Sequence, residues 1–199
     1  MFDFDGVLID TLILSYEISL EVNEGVNLSE YKDRFHGNII ESLKEHDGTF
    51  NSHPEFFKKY TAGARELKIP TGLLKVLEDL KNKDDVFLAI VSSTPSQYIK
   101  DILEREKASN YFRDIFGSDV NKSKVIKINS LLEKYDIKPD DAVFITDTVG
   151  DIKEARECNV KSIAVAWGFH ERERLESVNP LKIVDNPTEL MDVIVDVIK

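Results

Sequence analysis

Met1-Phe2-Asp3-Phe4-Asp5-Gly6-Val7-Leu8-Ile9-Asp10 opens the chain, and its reading decides the rest. Asp3 and Asp5 flank one apolar residue just ahead of a glycine. If the segment enters as a strand, side chains two apart share a face, so both carboxylates point the same way. Two like charges that close repel unless a cation or a shared proton relieves them. Mg²⁺ suits hard oxygen ligands together with a phosphorylated substrate. The pair could then divide the work, one carboxylate as nucleophile and the other as general acid and base. Gly6 lets the backbone turn sharply away.

A second acidic cluster lies far along the chain. Ala142-Val-Phe-Ile-Thr146 is a short apolar run rich in strand formers. It ends in Asp147-Thr-Val-Gly-Asp151, ahead of a helix-like stretch over 152–156. Asp147 is expected at the carboxyl end of a strand, and Asp151 in the loop or at the helix N-cap. Ligands of open α/β sheets bind just outside the carboxyl ends of the strands.

Together these motifs resemble the haloacid dehalogenase superfamily, in particular its phosphatase-like members with a helical cap, the phosphoglycolate phosphatase and β-phosphoglucomutase kind. The resemblance spans nearly the whole chain. It includes Val86-Phe-Leu-Ala-Ile-Val-Ser92, a buried strand ending in a hydroxyl, and Lys122-Ser-Lys124 ahead of the acidic cluster. Ser162-Ile-Ala-Val-Ala-Trp-Gly168 is similar to the strand and loop that follow the acidic motif in many relatives.

Composition narrows the partners. A chain of 199 residues is long enough for one core and a small accessory domain. The net charge of −11 argues against nucleic acid, which demands a basic footprint. An anionic substrate must therefore be drawn in by a local field, from a metal or a few Lys and Arg. The single cysteine, Cys158, excludes an internal disulfide and fits a reducing, cytoplasmic setting. Cys158 reads as packing, and no apolar run reaches the length of a membrane span. The oligomeric state, monomer or homodimer, stays open.

The expected strands lie at 2–4, 86–91, 143–146, 162–166 and 182–184. Helical spacing of apolar residues covers 73–82, 95–107 and 124–135. Alternating strands and helices predict an α/β fold: a doubly wound, mostly parallel sheet covered on both faces. The stretch between Thr11 and Pro70 breaks the alternation and reads as amphipathic helices over 12–24, 39–45 and 54–67. By the resemblance, residues 1–13 and 71–199 form the core domain and 14–70 a helical cap. Such a lid closes over the site, excludes water and selects the substrate, with hinges expected near 10–14 and 69–72.

The resemblance also implies roles. Asp3 attacks phosphorus and forms an aspartyl-phosphate. Asp5 protonates the leaving oxygen and later deprotonates the hydrolytic water. Mg²⁺ is held by the Asp3 carboxylate, the Asp5 backbone carbonyl and Asp147, with Asp151 a direct or adjacent partner. Ser92 binds a phosphoryl oxygen, with Ser93 and Thr94 beside it. Lys124 offsets the clustered charge in preference to Lys122. Arg34, His36 and Asn38, around Gly37, are candidate cap contacts to a small phosphorylated metabolite. Trp167 reads as packing in a loop that walls the site.

One departure stands out: only Met1 and Phe2 precede Asp3, where relatives carry a longer apolar strand. So short a central strand is expected to leave its neighbours' edges open and to lower stability, as in a chain trimmed at its start, unless another segment fills the gap. The leading expectation is a Mg²⁺-dependent phosphatase. A phosphomutase, a metal-independent dehalogenase and a non-catalytic binding protein of the same fold are the alternatives.

Overall fold

Residues 1–3 sit at the centre of the sheet. In the computed structural model, which describes residues 1–22, 25–38 and 54–197, Phe2 bridges Ile90 on one side and Ile145 on the other. Phe2 N–H donates to the Ala89 carbonyl (2.8 Å) and Val91 N–H to the Phe2 carbonyl (2.9 Å). On the opposite edge, Asp3 N–H donates to the Ile145 carbonyl and Ile145 N–H to the Met1 carbonyl, both at 2.9 Å. The segment thereby joins the pair β1 (Leu88–Val91) and β2 (Phe112–Phe116) to the trio β3 (Val143–Thr146), β4 (Lys161–Val165) and β5 (Lys182–Val184). The order is β2-β1-(1–3)-β3-β4-β5, with every pairing parallel.

The expected strand over 2–4 stops at Asp3, and Phe4 already lies in a bend. The feared open edges do not arise at Phe2. Strands β1 and β3 are themselves four residues long, so three residues pair with both.

Helices cover both faces. The inserted stretch contributes α1 (Leu12–Val22), α2 (Leu28–Asp33) and α3 (Pro54–Ala64). The core follows with α4 (Thr71–Lys81), α5 (Ser96–Arg105), α6 (Lys124–Tyr135), α7 (Val149–Glu157), α8 (Arg172–Glu176) and α9 (Pro187–Val197). Leu73 of α4, Ile99 of α5 and Ile194 of α9 pack with Phe2, Ile90 and Ile145. Ile128 and Leu131 of α6 and Ala155 of α7 pack with Ala89, Val91 and Phe144 on the other face. Successive strand residues thus enter opposite cores, which is why the strands read as continuous apolar runs.

Four elements had no reading in the sequence. Edge strand β2 carries Arg113 and Asp114 among its aromatics, a charged edge that breaks the apolar run. Helices α2 and α8 are too short to show a period, although α2 carries a capping box in which Asn27 and Glu30 exchange bonds of 3.0 Å. Helix α9 follows the last strand. The helix expected over 39–45 lies outside the described residues.

Phe2 is 1% exposed and meets the Phe112 ring edge-on at 6.3 Å. Replacing Phe2 with Ala should cost about 3–5 kcal/mol. The urea midpoint should fall while the slope of the transition stays unchanged.

Candidate active site

Three loop starts converge at the carboxyl edge of the sheet. Asp3 ends the central segment, Ser92 follows β1 and Asp147 follows β3. Asp151 was expected in the loop or as the helix N-cap. Instead Thr148 is the cap, its Oγ1 accepting from Asp151 N–H (3.3 Å), and Asp151 lies in the first turn of α7 facing inward.

A buried lysine joins these elements. Lys124 Nζ donates to Asp3 Oδ2 (2.6 Å) and to Asp151 Oδ2 (2.5 Å). Thr146 Oγ1 also donates to Asp151 Oδ2 (2.7 Å), and Phe4 N–H donates to Asp3 Oδ1 (2.7 Å). Lys122, the alternative lysine, is exposed. Asp147 Oδ2 accepts from Phe169 N–H (2.7 Å), whereas Asp147 Oδ1 is buried without a hydrogen-bond donor. Carboxylate oxygens of Asp3, Asp147 and Asp151 all lie within 4.8 Å of one another.

Glycine makes this approach possible. Gly6 takes φ +72°, and a Cβ there would stand 1.9 Å from Asp147 Oδ2. A Cβ on Gly168 would stand 2.3 Å from Asp147 Cβ.

Burial dominates the electrostatics. It raises Asp3 well above the ordinary carboxylate range despite Lys124, and it raises Asp147 to about 7. Burial acts the same way on Asp151, but the Lys124 charge together with the hydrogen bonds from Asp3, Lys124 and Thr146 outweighs it and holds that carboxyl low. Burial disfavours the Lys124 ammonium too, and the Asp151 and Asp3 charges keep it protonated. The cluster therefore holds one carboxyl low and two raised by burial. A buried oxygen with no donor beside two further carboxylates fits a hard divalent cation.

Asp5 faces a ring of hydroxyls. Its Oδ1 accepts from Thr11 Oγ1 (3.0 Å) and from the Tyr60 phenol. Its Oδ2 accepts from Thr94 Oγ1 (2.7 Å) and Ser92 Oγ (3.4 Å). Ser92 Oγ also accepts from Thr94 N–H (3.0 Å). Ser93 is partly exposed beside it.

The cap candidates separate. Burial and the Asp5 charge hold the proton on the Tyr31 phenol, while Ser15 and the Arg34 charge oppose them. His36 meets the His170 ring at a tilt of 58°, with centroids 5.0 Å apart, and lies 3.5 Å from Arg174. Asn38 Nδ2 donates to Glu154 Oε1 (2.7 Å), the same oxygen that accepts from Lys124 N–H (3.0 Å). Trp167 Nε1 donates to the Val7 carbonyl (3.2 Å), and Cys158 is buried against Val125.

Several participants had no motif to reveal them. Lys127, one helical turn past Lys124, is fully buried, and its amine donates to the Ser92 carbonyl. Burial, then Lys124, lowers its pKa to about 8. The spacing from Lys124 was the one available signal. His170 Nδ1 accepts from Val149 N–H (3.0 Å), so its Nε2 carries the proton and donates to the Lys32 carbonyl (2.9 Å).

The family model described as haloacid dehalogenase-like hydrolase matches residues 1–165. A phosphoglycolate phosphatase of Vibrio vulnificus is 26% identical over 97% of this chain and 94% of its own length. A predicted phosphatase from Clostridium acetobutylicum superposes with TM-score 0.79 at 28% identity, covering 98% of this chain and 96% of that one. A haloacid dehalogenase-like hydrolase from Streptococcus pneumoniae has TM-score 0.80 and 22% identity, over 97% and 96% of the two chains, and speaks for the fold alone.

The raised carboxyls fix a pH dependence. Asp147 keeps its proton to about pH 7 in the fold but ionises near 4 when unfolded, so the folded state binds more protons between those values. The stability this proton confers is lost as pH rises through about 7, and Asp3 acts in the same sense. A divalent cation offsets that loss. The rise in Tm produced by saturating Mg²⁺ should therefore be larger at pH 8 than at pH 5.5 by differential scanning fluorimetry, with Ca²⁺ as comparison.

Proposed function

We propose that this chain, which belongs to the haloacid dehalogenase-like hydrolase family, is a Mg²⁺-dependent phosphatase acting on a small phosphorylated metabolite through an aspartyl-phosphate on Asp3. The observation that carries the reading is the Lys124 ammonium shared between Asp3 and Asp151, beside the donor-free oxygen of Asp147. That arrangement holds a nucleophile and gathers acidic oxygens in one buried place.

Asp3, Asp147 and Asp151 would hold the metal, with the Asp5 backbone carbonyl as the further ligand that the family resemblance supplies. When bound, Mg²⁺ neutralises phosphoryl charge and aligns the reacting groups. This chain's residues do the rest. Lys124 and the Phe4 N–H orient the Asp3 carboxylate. An Asp3 oxygen bonds to phosphorus as the bond from phosphorus to the leaving oxygen breaks, and Asp5 supplies the proton that the leaving oxygen takes up. Asp5 then removes a proton from water, whose oxygen bonds to phosphorus as the bond to Asp3 breaks. Ser92 Oγ, with N–H groups near the start of α5, receives phosphoryl oxygens. Lys127 braces the Ser92 carbonyl from behind.

In this reading residues 14–70 form the lid over a core of 1–13 and 71–199, and Arg34 is a candidate substrate contact from it. His36, packed on His170 and Arg174, serves as docking for the lid instead. The phosphoglycolate phosphatases among the relatives make short phosphorylated acids the first substrates to screen.

Hydrolysis of p-nitrophenyl phosphate should require Mg²⁺, and Asp3→Asn should abolish it while the fold persists. Asp5→Asn should lower the turnover of an alkyl phosphate by about 10²–10⁴-fold. Mg²⁺-independent turnover, or turnover surviving in Asp3→Asn, would overturn the proposal.

A further inference from the structure

Asp5 receives three of its hydroxyl donors from core segments flanking it: Thr11, Ser92 and Thr94. The fourth, Tyr60, comes from α3 in the inserted stretch, 55 residues away in sequence. Tyr60 is 5% exposed, and its ring stacks on Phe56 one turn earlier, with centroids 5.9 Å apart and planes 12° apart. Helix α3 is locked to α1: a Cβ on Gly63 would fall 2.5 Å from Leu14 Cδ1, and Lys59 pairs with Glu21 across the same two helices. The phenol therefore reaches Asp5 as part of a packed helical pair.

The donors divide between the two carboxylate oxygens. Thr11 and Tyr60 take Oδ1, while Ser92 and Thr94 lie at Oδ2. Ser92 marks the side on which a phosphoryl group sits in the proposed reaction, so Oδ2 faces the chemistry and Oδ1 faces the insert. A crevice beside Tyr60, walled also by Thr94, Tyr98 and Asp101, holds about 10 Å³, enough for one water and no substrate fragment. Burial, then the Asp5 charge, keeps the proton on the Tyr60 phenol.

We propose that Tyr60 is the positioning residue through which the inserted helices make Asp5 competent: its hydroxyl anchors Oδ1, so that Oδ2 is the atom that gives and takes the proton. The anchor exists only while α3 is docked on the core. Proton transfer to the leaving oxygen is thereby tied to a closed lid. This role rests on the phosphatase reading above.

The test exploits leaving-group chemistry. A nitrophenolate departs without a proton, whereas an alkoxide needs one as its bond to phosphorus breaks. In Tyr60→Phe, kcat/KM for an alkyl phosphate such as glycerol phosphate should fall about tenfold more than kcat/KM for p-nitrophenyl phosphate. Inhibition by inorganic phosphate should stay unchanged. Tyr60→Phe should cost nothing further in an Asp5→Asn background, because the two act as one unit. If Tyr60→Phe fails to fold, Tyr60→His, which keeps a donor, goes through the same pair of esters, and its kcat/KM for the alkyl phosphate relative to the aryl phosphate should fall less than in Asp5→Asn. Equal losses on both esters, no loss on either, or full additivity with Asp5→Asn would overturn the positioning role alone. A wild-type protein inert toward both esters in Mg²⁺ would overturn the phosphatase reading and this role with it.

Discussion

The structure depends on one buried ammonium. Lys124 stands between Asp3 on the central segment and Asp151 on α7, and it comes from α6. Three elements meet at that atom, one of them 121 residues away in sequence. Removing charges from water costs several kcal/mol per ion unless geometry and further hydrogen bonds compensate. Here they do, through Thr146, the Phe4 N–H and the contact of Glu154 with the Lys124 backbone. Stability and function pull apart at this place. Two of the three clustered carboxyls are held above their ordinary range by burial, and the fold accepts that strain to keep a cation-ready site.

Much of this was legible in the sequence, for identifiable reasons. Strands buried on both faces are written as unbroken apolar runs, so β1, β3 and β4 could be placed within about two residues by pattern. The acidic residues stand at strand ends, where a loop start leaves its side chain facing the ligand side. Elements that depend on tertiary context were not legible. Strand β2 is an edge with charges in it, and α2 and α8 are shorter than the period needed to see them. Asp151 looked like a cap because an acidic residue opening a helix usually is one. The hydroxyl of Thr148 does that work and frees Asp151 to turn inward. The dense ring around Asp5 was invisible for a different reason. Thr11, Tyr60 and Thr94 meet only through folding, and no spacing in the chain connects them.

Helices α2 and α3 are each tied to the rest of the chain by polar contacts. Around α2, attachment is polar and repeated: Lys32 with Glu171 (2.5 Å), Arg174 with Asp33 (2.5 Å) and Ser29 (3.0 Å), and His170 with the Lys32 carbonyl. Around α3, Arg105 of α5 donates to the Arg65 and Leu67 carbonyls just past the helix, and Tyr60 supplies the contact with a site carboxylate. The α2 attachment is a mount away from Asp5, whereas the α3 attachment includes a contact to it. The His170 ring belongs to the mount, because it grips the start of α7 and the end of α2 with its two nitrogens.

Asp147 is pressed between the bare backbones of Gly6 and Gly168. Volume, more than chemistry, therefore fixes the identity of two positions that touch no substrate atom in the proposed reaction. In a deep mutational survey, both should appear as intolerant as Asp3 itself, and for the same span of replacements from alanine upward. A reader of such data alone would assign them catalytic roles. Their real contribution is emptiness: each supplies a missing methyl group's worth of room, and the acidic centre is built in the space that results.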